Sequence, residues 1–223
     1  TDLAYGAVGP GTVEAAFAGS ISEIVVSSLD AIWNGGAAHA SGRVRPETNT
    51  IDARVDLTVT DLRSLSANLP SGVRPDGQMA ATALLSGHLS ALRVRATVRG
   101  AELEVAGQRI DRWSAELRLE DHTLIADGIE LVQSDGRLLA SGRWDFGHRT
   151  YDVTAVGRNL VVRHIPGAQP NQSVAPVDAR IDVDLSGSGL IDNPRGKARL
   201  HVARLSFGGY ELGTIESDMT IED

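Results

Sequence analysis

The sequence contains no cysteine, which excludes disulfides, thiolate nucleophiles and cysteine-based zinc sites. Aromatic residues make up only 4% of the chain, so its apolar surface must be carried by Val, Leu, Ile and Ala. No apolar run reaches the roughly 18 residues that a membrane-spanning helix needs. The chain opens at Thr1, with no Met and no stretch that reads as a signal peptide. It is therefore expected to be an excised or processed piece of a longer protein, with any membrane anchor outside it. Strong positive charge is missing too. The formal net charge is -8, and no window is basic enough to follow a phosphate backbone, so nucleic acid is not expected as a partner. Arginine is nevertheless plentiful, which leaves room for a local contact with anionic lipid.

What is present is a repeat. Ala40-Ser41-Gly42-Arg43 returns as Ala140-Ser141-Gly142-Arg143, and Leu85-Ser86-Gly87 returns as Leu185-Ser186-Gly187. Pro70 matches Pro170, and Ile51-Asp52 matches Tyr151-Asp152. Further on, the spacing grows by two residues, so that Leu103, Val105, Gly107, Leu117 and Leu119 lie over Leu205, Phe207, Gly209, Met219 and Ile221. Matches in the same order along both copies point to one repeated supersecondary unit. The expected division is a partial unit at 1–11, units at 12–111 and 112–213, and the start of another at 214–223.

Within each unit the pattern has period two. Ile51, Ala53, Val55, Leu57 and Val59 alternate with Asp52, Arg54, Asp56 and Thr58, and Ile181, Val183 and Leu185 alternate with Asp182 and Asp184. Such alternation predicts strands with one apolar and one polar face. Asn34-Gly35-Gly36, Asp127-Gly128, Asp135-Gly136 and Gly208-Gly209 read as turns between them. The expected fold class is therefore all-β, an elongated and strongly curved antiparallel sheet. One short helix is expected at Asp61–Leu69, opened by the Asp and closed by Pro70. A less helical, Val-rich counterpart is expected around Asn159–Ile165. Polar, proline-containing loops at Pro70–Gln78 and Pro166–Pro176 mark the unit boundaries.

Catalytic and metal-binding patterns are missing. No two of His39, His88, His122, His148, His164 and His201 have a spacing that suits one metal ion. Asp182 and Asp184 share a strand face and could hold a cation, but a solvated outer face explains them more simply. Gly187-Ser188-Gly189 lacks the flanks of a nucleophile elbow, and no phosphate-binding glycine loop occurs. Trp33, Trp113 and Trp144 read as packing residues. No enzyme activity, metal or cofactor is expected.

The segment from Leu185 to Gly196, LSGSGLIDNPRG, carries a resemblance, together with the Gly136–Trp144 stretch and the Gly-flanked pairs at 107–110 and 209–212. It is similar to the lead-in of the TamB and AsmA-like proteins of Gram-negative bacteria. That resemblance implies a taco-like β-groove with a hydrophobic interior in the periplasm, in a chain anchored in the inner membrane by a segment not present here. It further implies phospholipid, or another acyl-chain lipid, as cargo between the membranes. Outer-membrane biogenesis is the related role, with an outer-membrane assembly protein docking on regions outside this stretch. The residues expected to face lipid are Ile51, Val55, Leu57, Val59, Val105, Leu117, Leu119, Ile181, Val183, Leu185, Leu205, Phe207 and Met219. A structural or adhesive β-repeat with a dry core, or a β-solenoid enzyme acting on polysaccharide, would be the competing roles. The sequence pattern does not separate a face covered by a second sheet from one open to hydrocarbon.

Overall fold

The structure is a computed structural model and describes residues 2–5, 8–64, 75–105, 108–163, 177–207 and 209–221. The described residues form fourteen strands in a single sheet whose spatial order is the sequence order, without a crossover among them. They are β1 Asp2–Tyr5, β2 Val8–Gly19, β3 Ile24–Trp33, β4 Gly36–Arg45, β5 Thr50–Val59, β6 Asp76–His88 and β7 Ala91–Val105. The remainder are β8 Gln108–Glu120, β9 Thr123–Gln133, β10 Gly136–Asp145, β11 Thr150–Val162, β12 Val177–Leu190, β13 Asn193–Phe207 and β14 Tyr210–Ile221. Every ladder is antiparallel. β1 and β14 are the edges. The all-β, open and curved sheet that the alternation predicts is what forms.

The pairing register is itself periodic. β3 carries two residues against one of β4 between Val26 and Leu29, opposite Gly42 and Ala40. β9 does the same between Ala126 and Ile129, opposite Gly142 and Ala140. Farther along, Thr97 of β7 pairs with Glu116 of β8, and Arg199 of β13 pairs with Asp218 of β14. The meander thus repeats after six strands, β3 recurring as β9 and β7 as β13. A β-bulge is one residue too many on one strand, and it sharpens the local twist. Its recurrence is one source of the sheet's curvature. A second sign of curvature lies around the β9–β10 turn. There Gln108 of β8 accepts a hydrogen bond through Oε1 from the Arg163 backbone amide, just past β11, at 3.2 Å. In a flat sheet three strand spacings would separate them by about 14 Å. The sheet has curled around the hairpin tip that lies between them.

Two local expectations are corrected, and a third is described only in part. Of Asp61–Leu69, the described residues form a single 3-10 turn at 62–64, in which Asp61 Oδ1 accepts from the Arg63 amide at 3.0 Å. Leu65 and Leu69 lie outside the described residues. The counterpart at 159–165 is not helical where it is described. Asn159 to Val162 complete β11, whose ladder to β12 shifts register between Gly157 and Leu160. The β-branched pair Val161-Val162 fits a pleat better than a helix turn, and β12 supplies the hydrogen bonds. Asp127-Gly128 is likewise a bulge inside β9 rather than a turn, with Gly128 at φ +59°. The loop at 166–176 lies outside the described residues, and of 70–78 only Pro75 to Gln78 are described, Asp76 opening β6.

Candidate functional site: an uncovered apolar sheet face

The alternation of each strand places its aliphatic side chains on one face, and the registers carry that face across the sheet. One row runs Val55, Ala83, Ala96, Leu117, Ala126, Gly142, Val153, Gly187, Gly196 and Ile221 from β5 to β14. Two rows over on the same face, another runs Val59, Met79, Gly100, Trp113, Leu131, Leu138, Gly157, Val183 and Leu200. The rows hold apolar residues and glycine only.

The expected lipid-facing residues fall into this frame as follows. Ile51, Val55, Leu57 and Val59 share the apolar face of β5, with Val59 fully buried and the other three half-buried. Leu117 and Leu119 on β8, Ile181 and Val183 on β12 and Leu205 on β13 are half-buried. Leu185 of β12 is 43% exposed, Phe207 of β13 is 47% exposed and Met219 of β14 is 50% exposed. The side chain of Val105 lies outside the described residues. The structure therefore brings most of these residues onto one continuous face rather than into an enclosed site.

That face has no second layer among the described residues. Substantial strand–strand contacts occur only between ladder neighbours. A core buried between two sheets would leave its inward aliphatics almost fully covered. Among the described residues, the buried aliphatic side chains are those of Val59, Leu62, Ala126, Ala179 and Val202.

The opposite face is polar and internally paired. His39 Nδ1 lies 2.7 Å from Asp30 Oδ1, Arg158 bonds Asp184 at 2.8 Å, and Arg118 pairs with Asp127. Arg54 makes two hydrogen bonds to Asp56, at 2.7 and 2.9 Å. Those bonds, with a further one from the Thr82 hydroxyl, hold the Asp56 carboxyl down at about 2. Asp182 accepts the Asn159 amide at 2.7 Å. Asp182 and Asp184 are thus used within the sheet, and no cluster of metal-ligating side chains occurs among the described residues. Concavities form on this polar face. The one of about 550 Å³ lies between the row Thr58, Ala80, Arg99, Ser114, Glu130 and the row Gln78, Ala101, Arg112, Val132.

The tryptophans are packing residues of a particular kind. A side chain added at Gly36 would collide with the Trp33 indole, and one at Gly100 with the Trp113 indole. Each ring lies over the glycine directly across the ladder. The indole nitrogens of Trp33 and Trp113 are buried without a hydrogen-bond partner. Sequence reasoning missed this pairing of ring and glycine, as it missed Leu131, Leu138 and Val202 on the apolar face. A period-two count carried through the bulges with a one-residue shift would have found them.

No helix of the described residues is long and apolar enough to cross a membrane. No family model, no curated protein and no solved structure matches the chain.

Proposed function

We propose that the chain is a segment of a non-enzymatic hydrophobic conduit, whose aliphatic face shields phospholipid acyl chains between an inner and an outer membrane or in outer-membrane biogenesis. The observation that carries this reading is the uncovered apolar face, on which Leu185 and Met219 stay about half exposed. Removing a hydrocarbon chain from a membrane into water costs about 0.8 kcal/mol per CH₂, or about 13 kcal/mol for a sixteen-carbon chain. A continuous aliphatic surface offsets most of that cost. Apolar contact has no direction, so a chain can slide from one repeat to the next at nearly constant free energy. Small residues in the rows, among them Ala83, Ala96, Gly187 and Gly196, leave room above the backbone for a flexible occupant. On this reading the protein works in the periplasm.

Val183→Arg tests it. Val183 lies on the apolar face of β12, opposite Gly157 and Leu200. If the face is open to lipid, the guanidinium reaches water or a headgroup. The thermal melt then stays near that of the parent, and a photoreactive residue at 183 crosslinks labelled phospholipid in cells. If the face is instead the dry core of a structural β-repeat, the charge is buried without a partner and the fold is lost. An unfolded Val183→Arg protein together with no lipid crosslink at 183 defeats the conduit in favour of that structural role.

A further inference from the structure

Along one rim the sheet ends in six turns, joining β2 to β3, β4 to β5, β6 to β7, β8 to β9, β10 to β11 and β12 to β13. Four of these tips present a large apolar side chain to solvent. Ile21 is 89% exposed, Leu89 56%, Phe146 56% and Ile191 45%. Polar and glycine residues are the usual occupants of such tips. Three of the tips are also held in place, each bonded to the turn before it. The Leu89 amide donates to Asn49 O at 2.8 Å, Phe146 to His122 O at 3.0 Å and Ile191 to Arg149 O at 2.9 Å.

The β6–β7 and β12–β13 hairpins are equivalent in the repeat, and Leu89 and Ile191 occupy the same place in them. Behind each tip, the polar face begins with two cations at alternate positions, Arg93 and Arg95 in β7, Arg195 and Lys197 in β13. Among the described residues, Arg93, Arg95 and Lys197 have no ion-pair partner. Arg95 lies directly across the ladder from Arg118, whose own charge is met by Asp127. Several of the rim's acids have partners within the protein. Glu23 pairs with Arg43 and Arg45, Asp145 with His148, and Asp192 with Arg149. Glu47, Glu120 and Asp121 remain on intervening turns and strand ends.

We propose that this rim is a membrane-contact edge. Leu89 and Ile191, with Ile21 and Phe146, enter the acyl boundary of an anionic phospholipid leaflet, while Arg93, Arg95 and Lys197 behind them meet its phosphate esters. The spacing suits that depth. Successive polar-face positions on a strand are about 7 Å apart, and interfacial elements sink about 5 to 10 Å into the headgroup boundary. A soluble polyanion would engage the cations without needing aliphatic tips. The proposal uses a different region of the sheet from the acyl-chain reading and does not rest on it.

Flotation with vesicles of phosphatidylcholine, alone or mixed with phosphatidylglycerol, tests it. The protein should float with the mixed vesicles, less with the neutral ones, and less again as salt rises. Replacing the three unpaired cations together, Arg93→Gln, Arg95→Gln and Lys197→Gln, should weaken partitioning about a hundred-fold. Leu89→Ser with Ile191→Ser should also release the protein, with its circular dichroism unchanged. The indole of Leu89→Trp should shift to the blue on vesicles and be quenched by brominated acyl chains. Ser114→Ala, mid-strand on the polar face of β8 and away from this rim, should float like the parent, while the crosslink at 183 reads the conduit separately from this edge. The proposal is overturned if the parent does not float, or if the Leu89→Ser, Ile191→Ser protein floats as the parent does. It also fails if soluble glycerol phosphate at matched ionic strength displaces the protein from vesicles, since the cations would then be a phosphate site.

Discussion

At Gly100 the space next to the backbone is already taken. Its missing side chain is replaced by the Trp113 indole from the neighbouring strand, so a scarce aromatic is spent covering a glycine rather than filling a core. Gly100→Ala puts a methyl into the indole. The ring must move or the ladder must bend, and overpacking of this kind costs about 1 to 3 kcal/mol. Urea unfolding should report that loss. Ser114→Ala, next to the tryptophan on the polar side of β8, should stay within about 0.5 kcal/mol. In the double variant Gly100→Ala, Trp113→Leu the two losses should fall short of their sum, because the collision is removed with the ring. Additive losses would mean that ring and glycine do not interact.

At the level of the strand, most of the structure was legible. Alternation at 51–59 and 181–185 placed β5 and β12 and assigned their faces correctly, because burial of one face fixes a pleat's register. What alternation could not show were the places where the count slips. Val26 and Leu29 face the same way although three positions apart, and so do Ala126 and Ile129, because a bulge absorbs the odd residue. Asn159 was misread for a related reason. Its positive φ of 54° is sustained by neighbours distant in sequence. Its side-chain amide donates to Asp135 at 2.8 Å, and its carbonyl oxygen accepts from Arg180 at 2.8 Å. The bulges make a sharp comparison possible. Deleting Ser28 removes one residue of the β3 bulge and leaves Val26 and Leu29 on the same side of a regular pleat, so the protein should fold with a modestly lower Tm. Deleting Asp56 from the unbulged β5 turns half of that strand inside out, driving either Val55 or Leu57 and Val59 to the polar side, and should abolish folding. Equal Tm losses from the two deletions would show that the bulge is not a tolerated insertion.

At the scale of the whole molecule, the sequence announced a repeated, one-sided sheet but not whether anything lay over it. Val, Leu and Ile pack equally well against protein or hydrocarbon, so Leu185 and Met219 would read the same in a sandwich and in an open face. Only the tertiary arrangement, in which strands touch their ladder partners and no overlying layer among the described residues, distinguishes the two. The repeat in sequence spacing did carry through to pairing, down to the position of the β3 and β9 bulges.

The meander has a mechanical consequence. The chain enters on one edge strand and leaves on the other, so tension applied to its two ends acts across the ladders rather than along them. Hydrogen bonds loaded in that direction break in succession, and no strand shares its load with any but its neighbours. Held in an optical trap, the protein should peel from its edges in a staircase of small, low-force steps, each about one strand or hairpin long. A sandwich loaded in shear would hold and then rupture at once.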